Sequence, residues 1–337
     1  MIVLFLLLVI SACGTQKNVD ITNVDIRKGT DGLTMEFLKN APPENVFEDG
    51  KFPVSIKLKN TGAFNIIGNK NTPSIEGGLL VFGFEKAYVD IKPQQVEISI
   101  EGKSVFNPKG GEDFVNSNAE AKKIGPQSEK HPSTILATAC YPYKTILDTS
   151  ICIDTDVLGQ RRGQKSCIAK DLSFGEGQGA PVAITKIETR MLPQDNAKVK
   201  PHFIIHVKNA GNGQVIKNGI AEKSNPSNLK EINKNAIEKA CSSESLSYKD
   251  FNVLNAKASL SGVILDCDPK EGMQQTAEIR IKDKEDIVRC TYEGDAKNVG
   301  GIDASLDPYT AQLKIELDYG YTFTISKDII IEKVLTH

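Results

Sequence analysis

Residues 52–62 read Phe-Pro-Val-Ser-Ile-Lys-Leu-Lys-Asn-Thr-Gly, an alternation of apolar and polar side chains that ends at Asn-x-Gly. Residues 203–211 read Phe-Ile-Ile-His-Val-Lys-Asn-Ala-Gly and repeat this pattern. Alternation with a period of two predicts a strand with one buried face, and the Asn-x-Gly that follows predicts a turn. Two copies of the same strand and turn indicate an all-β fold built from a duplicated module.

A second match supports the duplication. Residues 140–145 read Cys-Tyr-Pro-Tyr-Lys-Thr and residues 318–323 read Asp-Tyr-Gly-Tyr-Thr-Phe, so Tyr-x-Tyr recurs near the end of each copy. The second copy is longer between these landmarks, and its residues 228–241 carry apolar side chains at helical spacing after an Asn cap. They predict a short helix inserted into the second copy. Chance similarity between alternating strands is the alternative explanation of the matches.

The segment between the copies, residues 173–181, is rich in glycine and ends with Pro181. An alternating strand follows it rather than a helix, so a linker is favoured over a phosphate-binding loop. The rest of the chain reads as about seven short strands per half without βαβ alternation. We therefore predict two tandem antiparallel β-sandwiches of immunoglobulin type, over residues 32–172 and 182–337.

With these alternating strands that enter Asn-x-Gly turns, the chain resembles the immunoglobulin-like modules of prokaryotic surface proteins, archaeal ones included. The similarity is greatest to the cell-adhesion-related type, and it covers both halves of the mature chain. In such families the modules act as spacers, adhesive units or mounts for other domains. The resemblance implies a role of that kind and implies no particular ligand.

Residues 2–12 form an unbroken run of apolar or small side chains, too short to span a bilayer but of the length of a signal-peptide core. Residues 10–13, Ile-Ser-Ala-Cys, resemble the prokaryotic lipobox, in which the cysteine receives a diacylglyceryl group with acyl chains such as palmitate. The resemblance implies a signal peptide over residues 1–12, a lipid-modified Cys13 and a tether over residues 13–31. No Lys or Arg precedes the run, so either the true start codon lies upstream or the assignment is wrong. Ordinary secretion is the alternative.

Six further cysteines form an even set in a chain predicted to be exported, which makes disulfides the expected state. No Cys-x-x-Cys occurs, and the spacings match no zinc module. Cys140 and Cys152 flank a predicted chain reversal centred near residue 146, which predicts a cross-strand disulfide between them. Cys241 is expected to tie the inserted helix to the sandwich. The pairing is otherwise left open for Cys167, Cys241, Cys267 and Cys290.

The charges nearly cancel, since 41 Lys and Arg against 43 Asp and Glu give a net charge of −2. Nucleic-acid binding needs clustered basic residues in surplus, so the composition gives no reason to expect it. No motif for catalysis is present, and we predict a non-enzymatic protein without a cofactor or a metal. His202 and His206 lie about 13 Å apart on one predicted strand, too far apart to hold one ion. Three acids are interpreted as a solvated edge, namely Asp148, Asp154 and Asp156.

Two further features are candidate contact surfaces. The Tyr-x-Tyr pairs resemble the tyrosine corner of Greek-key sandwiches, in which a hydroxyl bonds to loop backbone. An outward-facing recognition surface is the alternative. Residues 102–132 are polar and broken by Gly and Pro, which predicts a long loop. This segment and the inserted helix together form the predicted partner site.

The leading functional prediction is a membrane-anchored extracytoplasmic lipoprotein at the cell surface that acts without catalysis in binding, adhesion or envelope assembly. Its partner would be an envelope protein or a surface polymer, contacted through loops and free strand edges. One alternative is an accessory or structural subunit of a secretion or surface-filament machine. Another is a solute-binding receptor with its cleft at the Gly-rich linker.

Overall fold

The computed structural model describes residues 26–67, 77–194, 197–218, 236–242, 246–270, 276–294 and 299–334 of the 337-residue chain. Strands dominate these ranges, so the all-β prediction is confirmed. The predicted signal peptide and Cys13 lie outside the described residues, as do residues 228–235 of the predicted helix. Within the described ranges, no helix is both long and apolar enough to cross a membrane.

Strands of very different lengths follow one another along the chain. The first nine strands are β1 (Leu33–Phe37), β2 (Asn45–Phe47), β3 (Lys51–Asn60), β4 (Gly78–Gly83), β5 (Val89–Lys92), β6 (Gln95–Ile98), β7 (Glu112–Ala121), β8 (Lys130–Ile153) and β9 (Leu172–Ser173). Then come β10 (Val182–Gln194), β11 (Lys198–Asn209), β12 (Gln214–Ile216), helix α1 (Ala236–Cys241), a 3-10 turn (Tyr248–Asp250) and β13 (Val253–Leu260). The last elements are β14 (Val263–Ile264), β15 (Asp266–Asp268), β16 (Ala277–Arg280), β17 (Glu285–Thr291), β18 (Ile302–Asp303) and β19 (Tyr309–Glu332).

These strands form three sheets. The first has the order β1-β3-β7-β5, and the second has the order β15-β17-β11-β10-β9 with β18 beside β11. The third follows the order β14-β13-β19-β8-β4-β6, and β2, β12 and β16 pair with its members. Side chains alternate across each strand, and the apolar ones that face inward from all three sheets form one continuous buried core.

The first two sheets are copies of one arrangement. β1, β3, β7 and β5 correspond in order to β10, β11, β17 and β15. The register also corresponds, because Leu33 lies opposite Asn60 in the first sheet and Val182 lies opposite Asn209 in the second. In the third sheet, β4 and β6 of the first half have counterparts in β13 and β16 of the second. The topology thus repeats where the sequence signals repeat.

β8 and β19 form a two-stranded ribbon that passes through both halves of the protein. They pair along 24 residues each, from Lys130 opposite Glu332 to Ile153 opposite Tyr309. β4 borders the first part of β8, whereas β13 borders the first part of β19. Each of these two strands therefore begins beside strands of its own half and ends beside strands of the other half. The predicted boundary placed all of β8 in the first sandwich, but the two halves exchange their final strands.

Four tyrosines fill the middle of this ribbon. Tyr141 lies opposite Tyr321 and Tyr143 lies opposite Tyr319, with ring centroids 6.0 and 6.3 Å apart. All four are at most 3% exposed, so the alternative of an outward-facing surface is wrong. Each hydroxyl accepts a backbone N–H; the donors for Tyr141, Tyr143, Tyr319 and Tyr321 are, in turn, Leu33, Phe64, Val182 and Gly213.

The Gly-rich segment between the copies is packed rather than open. The Gln178 side chain is 4% exposed, and its amide group exchanges two hydrogen bonds with the backbone of Ile184. The Gly179 N–H donates to the Gly29 carbonyl, and the Gly179 carbonyl accepts from the Ala63 N–H. Because its polar groups are bonded to both halves, this segment joins the halves and does not serve as a free hinge.

Helix α1 lies on the outer face of the third sheet, within the region of the predicted insertion. Ile237 and Cys241 pack there against Leu79 and Cys140. The sheet is open to this approach at Gly320, because a Cβ atom at that position would lie 2.7 Å from Cγ1 of Ile237. A side chain at position 320 would therefore push the helix away from the ribbon.

The prediction of one long loop over residues 102–132 is wrong. Residues 112–121 form β7, which lies between β3 and β5 in the first sheet. Its inward side chains are small, among them Ser117 and Ala119, and its exposed ones are polar except for Phe114. That composition resembles a loop, but the alternation is that of a strand. Residues 130–132 belong to β8, so only residues 102–111 and 122–129 connect elements.

Candidate binding loop

Three disulfides are formed within the described residues. They join Cys140 to Cys241, Cys152 to Cys167 and Cys267 to Cys290, with Cα atoms 5.9, 5.8 and 4.0 Å apart. Cys241 does tie the helix to the sheet. All six cysteines are thus oxidised, which indicates an oxidising, extracytoplasmic environment.

The predicted disulfide between Cys140 and Cys152 is wrong because the chain does not reverse between them. β8 runs straight through residue 146, so the two cysteines lie on one strand about 40 Å apart. The expected turn is absent because the strand continues into the second half. There Thr145 is fully buried, and its hydroxyl donates to the Val182 carbonyl at 2.6 Å.

The second disulfide closes residues 152–167 into a ring, and we call the connection over residues 154–170 the braced loop. The loop leaves the end of β8 and returns to that strand end through Cys167, which is bonded to Cys152. A covalent closure of this kind removes conformations that an open loop would sample. The backbone of the braced loop is therefore restricted to fewer conformations than that of an open loop.

Two buried carboxylates organise the inside of the braced loop. Asp154 and Asp156 are each 7% exposed, so their interpretation as a solvated edge is wrong. The Asp154 carboxylate accepts from Lys165 Nζ at 2.8 and 3.1 Å. The Asp156 carboxylate accepts from the N–H groups of Gln160 and Arg161 at 2.8 and 3.3 Å. These bonds satisfy the two carboxylates, whereas Nη2 of Arg161 is buried without a hydrogen-bond partner.

The braced loop is also attached to the segment before β19. Arg161 Nη1 donates to the Leu306 carbonyl at 2.5 Å and to Asp307 at 3.3 Å. The Thr155 hydroxyl donates to the same Leu306 carbonyl, and the Ser166 hydroxyl donates to the Pro308 carbonyl. The loop is therefore fixed to the end of the ribbon by its disulfide and by these four hydrogen bonds.

The outer surface of the braced loop combines apolar and basic side chains. Leu158 is 71% exposed and Ile168 is 69% exposed, and Leu306 beside them is 48% exposed. The braced loop contains four basic and two acidic residues, and two of its basic side chains are paired, Lys165 with Asp154 and Arg161 with Asp307. Large exposed apolar side chains are a feature of contact surfaces. The Arg-Arg pair between two cysteines is the signal by which this loop could have been found in the sequence.

A cleft of about 480 Å³ lies between Arg27 and Lys28 on one side and the Gly-rich segment on the other. Arg27 pairs with Asp148 at 2.5 Å, and Lys28 pairs with Glu176 at 2.9 Å. Small-molecule sites are mostly apolar with a few convergent polar groups, whereas these walls carry paired charges. The cleft therefore gives weaker grounds for a binding site than the braced loop does.

The two strand histidines have separate partners. His202 Nδ1 lies 2.8 Å from the Thr291 hydroxyl, and His206 Nε2 lies 3.0 Å from a Glu188 oxygen. Partial burial and then the nearby charge of Arg289 lower the pKa of His202. The part of the chain that the structure describes contains no group of three His, Cys, Asp or Glu side chains arranged to hold a metal ion.

No protein-family model matches this chain, and no curated protein matches it.

Proposed function

We propose that this protein is an extracytoplasmic lipoprotein that is attached to its membrane through Cys13 and binds a protein partner without catalysing a reaction. The lipobox-like residues 10–13 support the membrane attachment, and the three disulfides support the extracytoplasmic location. The observation that carries the binding role is the braced loop, which is fixed internally yet exposes Leu158 and Ile168.

The physical argument for the anchor is the energy of acyl transfer. Burial in a bilayer contributes about 0.8 kcal/mol for each CH₂ group, so two chains give lasting attachment without a transmembrane helix. Cys13 and Ile26, the first described residue, are thirteen residues apart in the sequence. An extended chain of that length spans at most about 45 Å, so the sandwiches would stay close to the membrane surface.

The anchor is tested by expressing the protein with its own leader beside a Cys13→Ser variant. Intact mass should show a diacylglyceryl addition on the native protein only, and only the native protein should partition into the detergent phase. If both forms stay in the aqueous phase without added mass, the anchor is rejected and a secreted protein becomes the better interpretation.

The binding role is tested by placing a photo-crosslinking amino acid at Leu158, at Ile168 and, as a control, at Phe47, which is 58% exposed at the other end of the ribbon. In intact envelopes, the two loop positions should give an adduct of one size that the control position does not give. Adducts at none of the positions, or equally at all three, would reject the braced loop as the contact. An adduct with the mass of a second copy of this chain would favour a filament subunit instead.

A further inference from the structure

A second exposed feature, which we call the tip loop, comprises residues 103–109 between Ile100 and β7. Phe106 at its centre is 98% exposed, the highest value for any large apolar side chain in the described residues, and Val105 beside it is 39% exposed. An aromatic ring this exposed makes almost no contact with the rest of the fold. Its identity therefore has no role in packing the tip loop.

The backbone of the tip loop is held independently of Phe106. Ser104 and Asn107 exchange backbone hydrogen bonds of 3.0 and 3.1 Å across the turn. The base of the loop is attached to the first half, because the Lys103 N–H donates to the Gly62 carbonyl at 2.7 Å. These bonds close the turn, and the backbone groups of Val105 and Phe106 at its tip can bond to water or to the polar headgroup layer.

The tip loop lies beside residues 26–28, the first described residues of the chain. Lys103 Nζ lies 3.5 Å from the Lys28 carbonyl oxygen, which it can reach as a donor. Lys28 is only two residues from Ile26, where the described chain begins. Whatever holds Cys13 is therefore within reach of the tip loop, because the intervening chain spans at most about 45 Å.

We propose that Phe106 and Val105 insert into the interfacial layer of the bilayer that holds Cys13, with Lys103 and Lys109 directed towards the lipid headgroups. This inference rests on the proposed anchor. Aromatic side chains favour the headgroup layer, and lysines keep their charge in water while their stems cover apolar surface. Tethering raises the effective concentration of the tip loop at the membrane, so even weak insertion becomes populated. The tip loop would then orient the sandwiches on the membrane.

The chain contains no Trp, which makes a direct test possible. In the full lipid-modified protein, Phe106→Trp introduces a single tryptophan at an exposed position where folding should not depend on it. The matched control is Phe47→Trp, another exposed aromatic, and Phe47 lies opposite Glu332, about 40 Å along β19 from Tyr319. Tyr319 lies opposite Tyr143, whose hydroxyl accepts from Phe64, two residues from Gly62 at the base of the tip loop. Both variants are reconstituted into vesicles of phosphatidylcholine and phosphatidylglycerol, some with brominated acyl chains.

We expect the Phe106→Trp emission to shift to the blue and to be quenched by the brominated lipids. The Phe47→Trp emission should stay water-like and be quenched by iodide. Vesicle flotation reports the anchor separately. If the protein floats but both tryptophans stay in water, the insertion is disproved and the anchor stands. If the protein neither floats nor carries lipid mass, the anchor fails and the insertion fails with it. Shielding of Phe106→Trp in native envelopes but not in protein-free vesicles would overturn insertion in favour of a protein partner.

Discussion

Tyr143 and Tyr321 make the same two hydrogen bonds in the two copies. Each hydroxyl donates to the side-chain oxygen of the asparagine that ends the long strand of its copy, Asn60 at 3.3 Å and Asn209 at 3.2 Å. Each also accepts the backbone N–H four residues after that asparagine. The two Asn-x-Gly turns are thus held by two tyrosines that lie on different strands of one ribbon.

Removing either hydroxyl should cost stability to a similar degree. Tyr143→Phe and Tyr321→Phe each leave a partly buried N–H without its acceptor and remove one hydrogen bond to a buried asparagine side chain, which typically lowers the free energy of unfolding by about 1–3 kcal/mol. Urea denaturation measures this loss. Tyr309→Phe serves as the control, because Tyr309 is 38% exposed and its change should stay within about 0.5 kcal/mol. Equal stability of all three variants would contradict the structural role.

The tyrosines should also make the protein sensitive to alkali. Burial raises the pKa of Tyr141 and Tyr319 well above the ordinary value, and that of Tyr321 to about 12. Unfolded tyrosines ionise near pH 10, so above that pH the unfolded chain releases protons that the native protein keeps. The contribution of the tyrosines to the free energy of unfolding should therefore be constant below about pH 10 and should then fall by about 1.4 kcal/mol per pH unit for each buried tyrosine.

Phenolate absorbance and urea midpoints recorded across pH 8 to about 12 check this dependence. Tyr319→Phe should reduce the slope by the contribution of one proton. If all eight tyrosines of the chain titrate together near pH 10 while the protein stays folded, the burial is refuted.

The exchange of final strands predicts that neither half folds alone. A fragment of residues 26–174 lacks the end of β19, and a fragment of residues 175–334 lacks the end of β8. Each should show no cooperative unfolding by circular dichroism, whereas the mixture should recover one cooperative transition. A sharp transition in either isolated fragment would show that the shared ribbon is dispensable.

The disulfide that closes the longer chain segment should stabilise the fold more, although only with the logarithm of the segment's length. In the chain-entropy model, the bond from Cys140 to Cys241 contributes about 4.7 kcal/mol and the bond from Cys152 to Cys167 about 3 kcal/mol. Paired Cys→Ser variants, compared by urea denaturation, should follow that order. Peptide mapping without reduction provides the independent check, and a peptide that links Cys140 to Cys152 would contradict the described pairing.

Several features were predictable because they depend on local sequence. The alternation over residues 52–62 and 203–211 marks strands whatever the rest of the chain does, since a half-buried strand requires it. The Tyr-x-Tyr pairs could be interpreted as structural from their resemblance to the tyrosine corner. The strand β7 and the braced loop were harder to predict. β7 has a loop-like composition, and the braced loop has few conventional binding signals.

By itself, the sequence determined the all-β class, the recurrence of one strand and turn, and the oxidation state of six cysteines, since each follows from neighbouring residues or from composition. Only the tertiary structure decided that β8 continues past Thr145, because the hydroxyl partners that Thr145 meets, Val182 and Tyr319, come from distant parts of the chain. That continuation separates Cys140 from Cys152 and creates the braced loop. Long-range pairing sets these features, and its energy depends on which strands meet rather than on the residues within any one strand.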